Sequence, residues 1–295
     1  MQPLRQKLWK PLYRKDEKME KETDKKYSLA VYIRRFDPEK DAAPRQQQYT
    51  LQVERGMTVL DGLHILKQTQ DSSLGFRFSC RMGVCGSCAM MINGVPGLAC
   101  NTQILDVTTT ALTLAPLPNF NLIRDLVPDL VPMFGVFKGI QPYIQRSDAE
   151  EMENPTMEYF QTHHQLEEFL QFTYCIKCGC CMAGCPTMAT DREYPGPAPL
   201  TQVYRYNTDS RDDAGDARKN LVAASHGIFS CHYAGECSKV CPKGVDPARA
   251  IQLMKKNLVL SYFGLAKHKC AHLHKKPDKA SYKPPIEVPA HTVGK

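Results

Sequence analysis

The spacing of its cysteines constrains this chain more than any other feature. Thirteen cysteines occur in 295 residues, and eleven of them fall into three groups. Cys175, Cys178, Cys181 and Cys185 precede Pro186 with the spacing C-x2-C-x2-C-x3-C-P. Cys231, Ala234, Cys237 and Cys241 precede Pro242 in the same register, with alanine in second place. Upstream, Cys80, Cys85 and Cys88 have the spacing C-x4-C-x2-C, with Cys100 further on. A disulfide framework suits a short secreted chain behind a signal peptide. This chain is long, and its N-terminus lacks the apolar stretch of such a signal. Metal ligation is therefore the leading explanation, and the spacing must decide which metal.

The first group has the plant-type ferredoxin pattern for a [2Fe–2S] cluster. A tight loop supplies three thiolates, and Cys100 closes the site from a neighbouring segment. Gly83 and Gly86 let the backbone wrap closely, so that loop N–H groups can point at the sulfurs. A structural zinc site also uses four cysteines, but zinc pairs are normally C-x2–4-C twice, and the long gap to Cys100 does not match. The two later runs have the bacterial two-cluster pattern, in which the fourth cysteine of each run ligates the other cluster. That rule assigns Cys175, Cys178, Cys181 and Cys241 to a [4Fe–4S] cluster. Cys185, Cys231 and Cys237 remain. Ala234 cannot ligate iron, so three thiolates imply a [3Fe–4S] cluster, with a reduction potential above that of its complete neighbour. The competing reading of this last site is a [4Fe–4S] cluster with water or another residue on the fourth iron. Cys180 reads as a small buried filler and Cys270 as a free thiol in a basic tail.

The pattern of apolar residues supplies the frame around these groups. Leu29, Val31 and Ile33 alternate, as do Tyr49, Leu51 and Val53, which predicts a hairpin. Thr58 and Asp61 form a capping pattern that opens a helix through Leu60, Leu63, Leu66 and Lys67. Ala89 to Ile92 reads as a strand ending at the turn pair Asn93-Gly94, and Ala111 to Leu114 as a last strand. Helical patterns dominate afterwards. Leu166, Phe169, Leu170 and Thr173 predict one helix leading into Cys175. Asp246-Pro247 predicts a helix start, with Ile251, Met254 and Leu258 on one face as far as about Leu260.

The expected fold class is α+β: an N-terminal β-grasp [2Fe–2S] ferredoxin domain over 27–123, then an all-α bacterial-ferredoxin-like domain over 124–262. A charged extension over 1–26 and a basic tail over 263–295 flank them. The first 26 residues hold nine Lys or Arg against five acids, and the stretch from Gly264 holds seven Lys and four His against two acids. The bland meaning is solubility, and the sharper one is attraction to an acidic partner or an anionic membrane surface. No motif makes nucleic acid the partner. No apolar run of about 18 residues spans a bilayer, and the acids near the N-terminus argue against a mitochondrial presequence.

Five stretches carry a resemblance to a known family: Phe78 to Cys88 (FSCRMGVCGSC), Ile92 to Cys100 (INGVPGLAC), Leu117 to Leu126 (LPNFNLIRDL), Tyr204 to Asp212 (YRYNTDSRD) and Cys241 to Ile251 (CPKGVDPARAI). Together with the cluster order, they make residues 27 to 260 similar to the iron–sulfur subunit of succinate dehydrogenase and fumarate reductase. The resemblance implies a complex that exchanges electrons between succinate or fumarate and a membrane quinone. It implies two kinds of partner, a FAD-bearing flavoprotein subunit and membrane anchor subunit(s), with or without haem b. It places the chain peripherally on the cytoplasmic side of the cell membrane. It assigns Pro186, His232 and Lys255 to the quinone pocket. Succinate dehydrogenases often carry a Trp four residues after the Cys-Pro; here that position is Thr190, and the only Trp is Trp9. This departure leans toward a fumarate-reductase-like or menaquinone enzyme. The competing functions are the iron–sulfur module of another fumarate reductase or respiratory complex and a zinc-bound interaction protein.

Overall fold

The structure, a computed structural model, describes residues 26–154 and 158–265. Trp9, Cys270 and nearly all of both charged tails lie outside the described residues. The described chain divides into two compact units. The first holds 26–130 with two short segments from further along, 176–184 and 240–242; the second holds the remainder.

The first unit is built on a mixed five-stranded sheet, order β2-β1-β5-β3-β4. Strands β1 (Tyr27–Arg35) and β2 (Arg45–Val53) form the predicted hairpin, with Leu29 opposite Leu51. Leu29, Val31 and Ile33 are all fully buried, as their period of two requires. β1 also pairs in parallel with β5 (Ala111–Ala115), which in turn pairs antiparallel with β3 (Ala89–Ile92). β3 turns through Asn93 (φ 46°) and Gly94 (φ 80°) into β4 (Val95–Leu98), a strand that the alternation of apolar residues did not announce. Pro96 and Gly97 mask its period. Helix α1 (Val59–Thr69) opens with the expected capping box: Asp61 N donates to Thr58 Oγ1 at 3.2 Å, and Thr58 N donates to Asp61 Oδ2 at 3.0 Å. Its face of Val59, Leu60, Leu63 and Leu66 completes the core.

One buried charge network fixes the segment that leads into the first cysteine loop. Arg35 ends β1 on the core side, where alternation calls for an apolar residue. Its guanidinium donates to Asp125 Oδ1 at 2.9 Å, to Ser73 Oγ at 2.9 Å, and to Tyr49 and Asp71. Asp125 also accepts from Phe36 N at 2.9 Å and Gly75 N at 2.7 Å. Burial alone would push the Asp71 carboxyl up. Hydrogen bonds from Ser73, Tyr49 and Arg35 outweigh it and hold the group below the usual carboxylate range.

The second unit is helical. Its frame is α2 (Pro197–Thr208), α3 (Gly215–Val222) and α4 (Pro247–Tyr262). α4 starts as expected, with Asp246 accepting from Arg249 N at 2.9 Å and proline in the first turn. It buries Ala250, Ile251 and Met254 and leaves Leu258 half-buried. The helix expected before Cys175 is two short ones, His163–Glu167 and Leu170–Thr173. The break falls at Phe169, whose N–H closes a three-residue turn onto Leu166 O at 3.2 Å. Both Phe169 and Phe172 are thereby buried. The stretch Tyr204 to Asp212 has a structural role. Asp209 takes both Arg211 Nε and Nη2 at 2.8 Å, and Asp212 receives the fully buried Arg218 at 2.6 Å and 2.9 Å. Arg218 also donates to Tyr143 O at 2.7 Å, which ties the 140–145 loop to α3.

Candidate iron–sulfur sites

In the first loop, positive φ at Arg81 (58°), Gly83 (69°) and Gly86 (75°) curls the backbone so that its amides face inward. Each of the four thiols accepts at least one backbone N–H. Cys80 Sγ accepts from Val84 N and Cys85 N, both at 3.3 Å, and Cys100 Sγ from Gly83 N at 3.3 Å. Cys88 Sγ accepts from Cys100 N at 3.4 Å, and Cys85 Sγ from Ser87 N at 3.5 Å. Cys100 reaches the loop because Ala99 N bonds Cys88 O at 3.1 Å, directly after β4. The thiols differ in environment. Hydrogen bonding by Ser87 draws the exposed Cys85 down to about 6, while burial pushes Cys88 up to about 12. A thiolate at Cys88 needs compensating positive charge, which bound iron supplies. A ring of sulfurs under inward amides therefore fits a cluster that becomes more negative on reduction.

The second group lies partly in the first unit. Cys178, Cys181 and Cys241 belong to it, whereas Cys175 falls with the second unit. Gly179 (φ 85°) caps the turn Cys180–Ala183, and a side chain there would press on Phe120 at 3.2 Å. Asn119 Nδ2 holds the far end, donating to Met182 O at 2.9 Å and Ala183 O at 3.2 Å. Cys180 is fully buried in the apolar core and hydrogen-bonds Cys178, which draws the Cys178 thiol down to about 7. Gly86 of the first loop touches this segment: a Cβ on it would lie 2.8 Å from Cys178 Cβ.

The third group lies wholly in the second unit. Cys185, Cys231 and Cys237 line one cavity together with Ala234, Pro186 and Tyr194. Counting its solvent-filled mouth, the cavity measures about 310 Å³. Three thiols opening on one shared space are what a cluster with three protein ligands requires. Tyr233 (φ 59°) and Gly235 (φ 77°) bend the chain on either side of Ala234. Burial pushes the Cys237 thiol up to about 11. Of the residues expected in a quinone pocket, Pro186 lines this cavity, and Lys255 Nζ donates to Cys231 O at 2.7 Å, its ammonium 5.9 Å from the Phe229 ring centroid. His232 is exposed and is not among the lining residues. Thr190 turns its hydroxyl back onto Thr187 O at 3.1 Å. Tyr194, which sequence reasoning passed over, is 3% exposed and lines the same cavity. A lone tyrosine before Pro195-Gly196-Pro197 gives no signal beyond that of a turn.

Comparison with known proteins agrees with this geometry. Residues 30–135 match the 2Fe-2S iron-sulfur cluster binding domain family, and residues 171–245 the 4Fe-4S dicluster domain family. The chain is 42% identical to the fumarate reductase iron-sulfur subunit of Mycobacterium tuberculosis, covering 77% of this chain and 91% of that one. It is 40% identical to the subunit of the same name from Haemophilus influenzae, covering 76% and 90%. It is 39% identical to the mitochondrial succinate dehydrogenase [ubiquinone] iron-sulfur subunit of Candida glabrata, covering 77% and 89%. A chain of the Mycobacterium smegmatis Sdh1 complex in the apo form superposes with a TM-score of 0.72 at 26% identity, over 81% of this chain and 98% of that one. Among the described residues no helix is long and apolar enough to cross a membrane. With both cluster domains matched and close to four-fifths of its length shared with these relatives, the chain belongs to the iron–sulfur subunits of the fumarate reductase and succinate dehydrogenase family.

Proposed function

We propose that this subunit passes electrons between a FAD-bearing subunit and a membrane quinone through a [2Fe–2S], a [4Fe–4S] and a [3Fe–4S] cluster in that order. Cys80, Cys85, Cys88 and Cys100 hold the first. Cys175, Cys178, Cys181 and Cys241 hold the second. Cys185, Cys231 and Cys237 hold the third. The observation that carries the last assignment is Ala234 at the second-cysteine position of an otherwise regular run, in a cavity lined by three thiols. Bound clusters supply sites that accept and release single electrons.

The chain's own groups do the rest. The amides of Gly83, Val84, Cys85, Ser87 and Cys100 hold negative charge on the first set of sulfurs. At the third site, the Lys255 ammonium is parked on a carbonyl of a cluster ligand, from which it can turn to donate a hydrogen bond to a quinone oxygen. Exposed His232 offers a second proton carrier at the same edge, and Pro186 forms an apolar wall. Thr190 in place of a tryptophan supports a fumarate-reductase-like or menaquinone enzyme. The chain sits on the cytoplasmic side of the membrane, held there by its anchor subunit(s).

Low-temperature EPR of the air-oxidised complex tests the reading. The wild type shows the [3Fe–4S] signal, and Ala234→Cys loses it while gaining a reducible [4Fe–4S] cluster of lower potential. An Ala234→Cys protein that keeps the wild-type oxidised spectrum contradicts the assignment.

A further inference from the structure

Tyr194 is 3% exposed and lines the cavity of Cys185, Cys231 and Cys237. Two restraints hold it there. On one side the chain is pinned at Asp191, whose carboxylate takes the N–H of the preceding residue, Glu193, at 3.0 Å. On the other side, the chain runs at once into Pro195 and Pro197 through Gly196 (φ 90°). Cys231 has its carbonyl tied to Lys255.

The geometry points to Tyr194 as a positioning residue for the third cluster site: its O–H donates to the Cys231 sulfur, orients that ligand, and stabilises the site when it carries one more electron. This rests on the three-thiolate reading proposed above. The physical reason is electrostatic. A donor aimed at a ligand sulfur favours the more negative state, and hydrogen bonds to ligand sulfurs are among the factors that set cluster potentials. One electron enters the site, and the phenolic proton stays on oxygen throughout.

Tyr194→Phe deletes the oxygen and keeps the ring. In the whole complex, an EPR-monitored redox titration should show the [3Fe–4S] cluster about tenfold harder to reduce at a fixed poise, a midpoint about 59 mV lower for one electron. The [2Fe–2S] midpoint should stay put. A full [3Fe–4S] signal with an unmoved midpoint overturns the inference. If the phenylalanine variant loses the cluster, 3-fluorotyrosine at position 194 keeps the shape and makes a stronger donor. It should raise the midpoint, and no change overturns the inference equally. A wild type without any [3Fe–4S] signal is a different result: it sinks the three-thiolate reading itself.

Discussion

Gly86→Ala tests whether the first cysteine loop needs its close approach to the Cys178 segment. Gly86 has φ 75°, and a Cβ there would lie 2.8 Å from Cys178 Cβ and 2.9 Å from Cys178 Cα. An ordinary carbon contact is ~3.5 Å or more, so the two segments must part by roughly 0.7 Å or the loop must deform. The left-handed backbone costs about 1–2 kcal/mol for alanine, and overpacking typically adds about 1–3 kcal/mol. Gly94→Ala is the control. It has φ 80° with nothing within 4 Å, so it carries the backbone cost alone. At roughly 2–4 °C per kcal/mol, the midpoint for loss of cluster absorbance on heating falls by roughly 4–20 °C for Gly86→Ala and 2–8 °C for Gly94→Ala. EPR of the reduced complex should show altered [2Fe–2S] and [4Fe–4S] signals only in the former. If the two variants are indistinguishable in midpoint and in both spectra, the contact has no role in holding the cluster loops.

Three further outcomes follow from the same coordinates. Arg35→Met leaves Asp125 buried without its cation and should cost about 3–5 kcal/mol in denaturant titrations; Arg35→Lys should rescue little, since one ammonium cannot serve four acceptors in fixed directions. His226 bonds Asp191 at 3.0 Å and Glu193 at 3.2 Å, and these acids raise its folded pKa above the unfolded value. The stability it lends is full below about pH 6.5 and fades as pH rises through the folded value, so His226→Gln should flatten the fall in thermal midpoint between mildly acidic and mildly alkaline buffers. Lys255→Ala should spare succinate oxidation with an artificial acceptor while impairing quinone reduction; equal loss in both assays would assign Lys255 a structural role.

The cysteine groups were legible because ligand spacing is a local property of the chain. The hairpin and α1 were legible because Leu29, Val31, Ile33 and the Thr58–Asp61 cap are local too. What stayed hidden depends on partners far apart in sequence. Arg35 breaks the alternation of β1, and only Asp125, ninety positions on, explains it. The stretch Tyr204 to Asp212 has no local meaning; its carboxylates answer to Arg211 and Arg218. Strand β4 was obscured by proline and glycine, and the helix before Cys175 was broken by two phenylalanines turning to one core. Tyr194 looked like part of a turn, because a place in a shared cavity leaves no trace in spacing.

The central claim is that eleven thiols are shared four, four and three among three clusters. Anaerobic analysis of the purified complex for non-haem iron and acid-labile sulfide, alongside zinc, addresses it directly. The account predicts about nine iron atoms per copy of this chain, the sum over a [2Fe–2S], a [4Fe–4S] and a [3Fe–4S] cluster, with negligible zinc. Iron near two atoms per chain, or zinc in place of iron at the later cysteines, would contradict it.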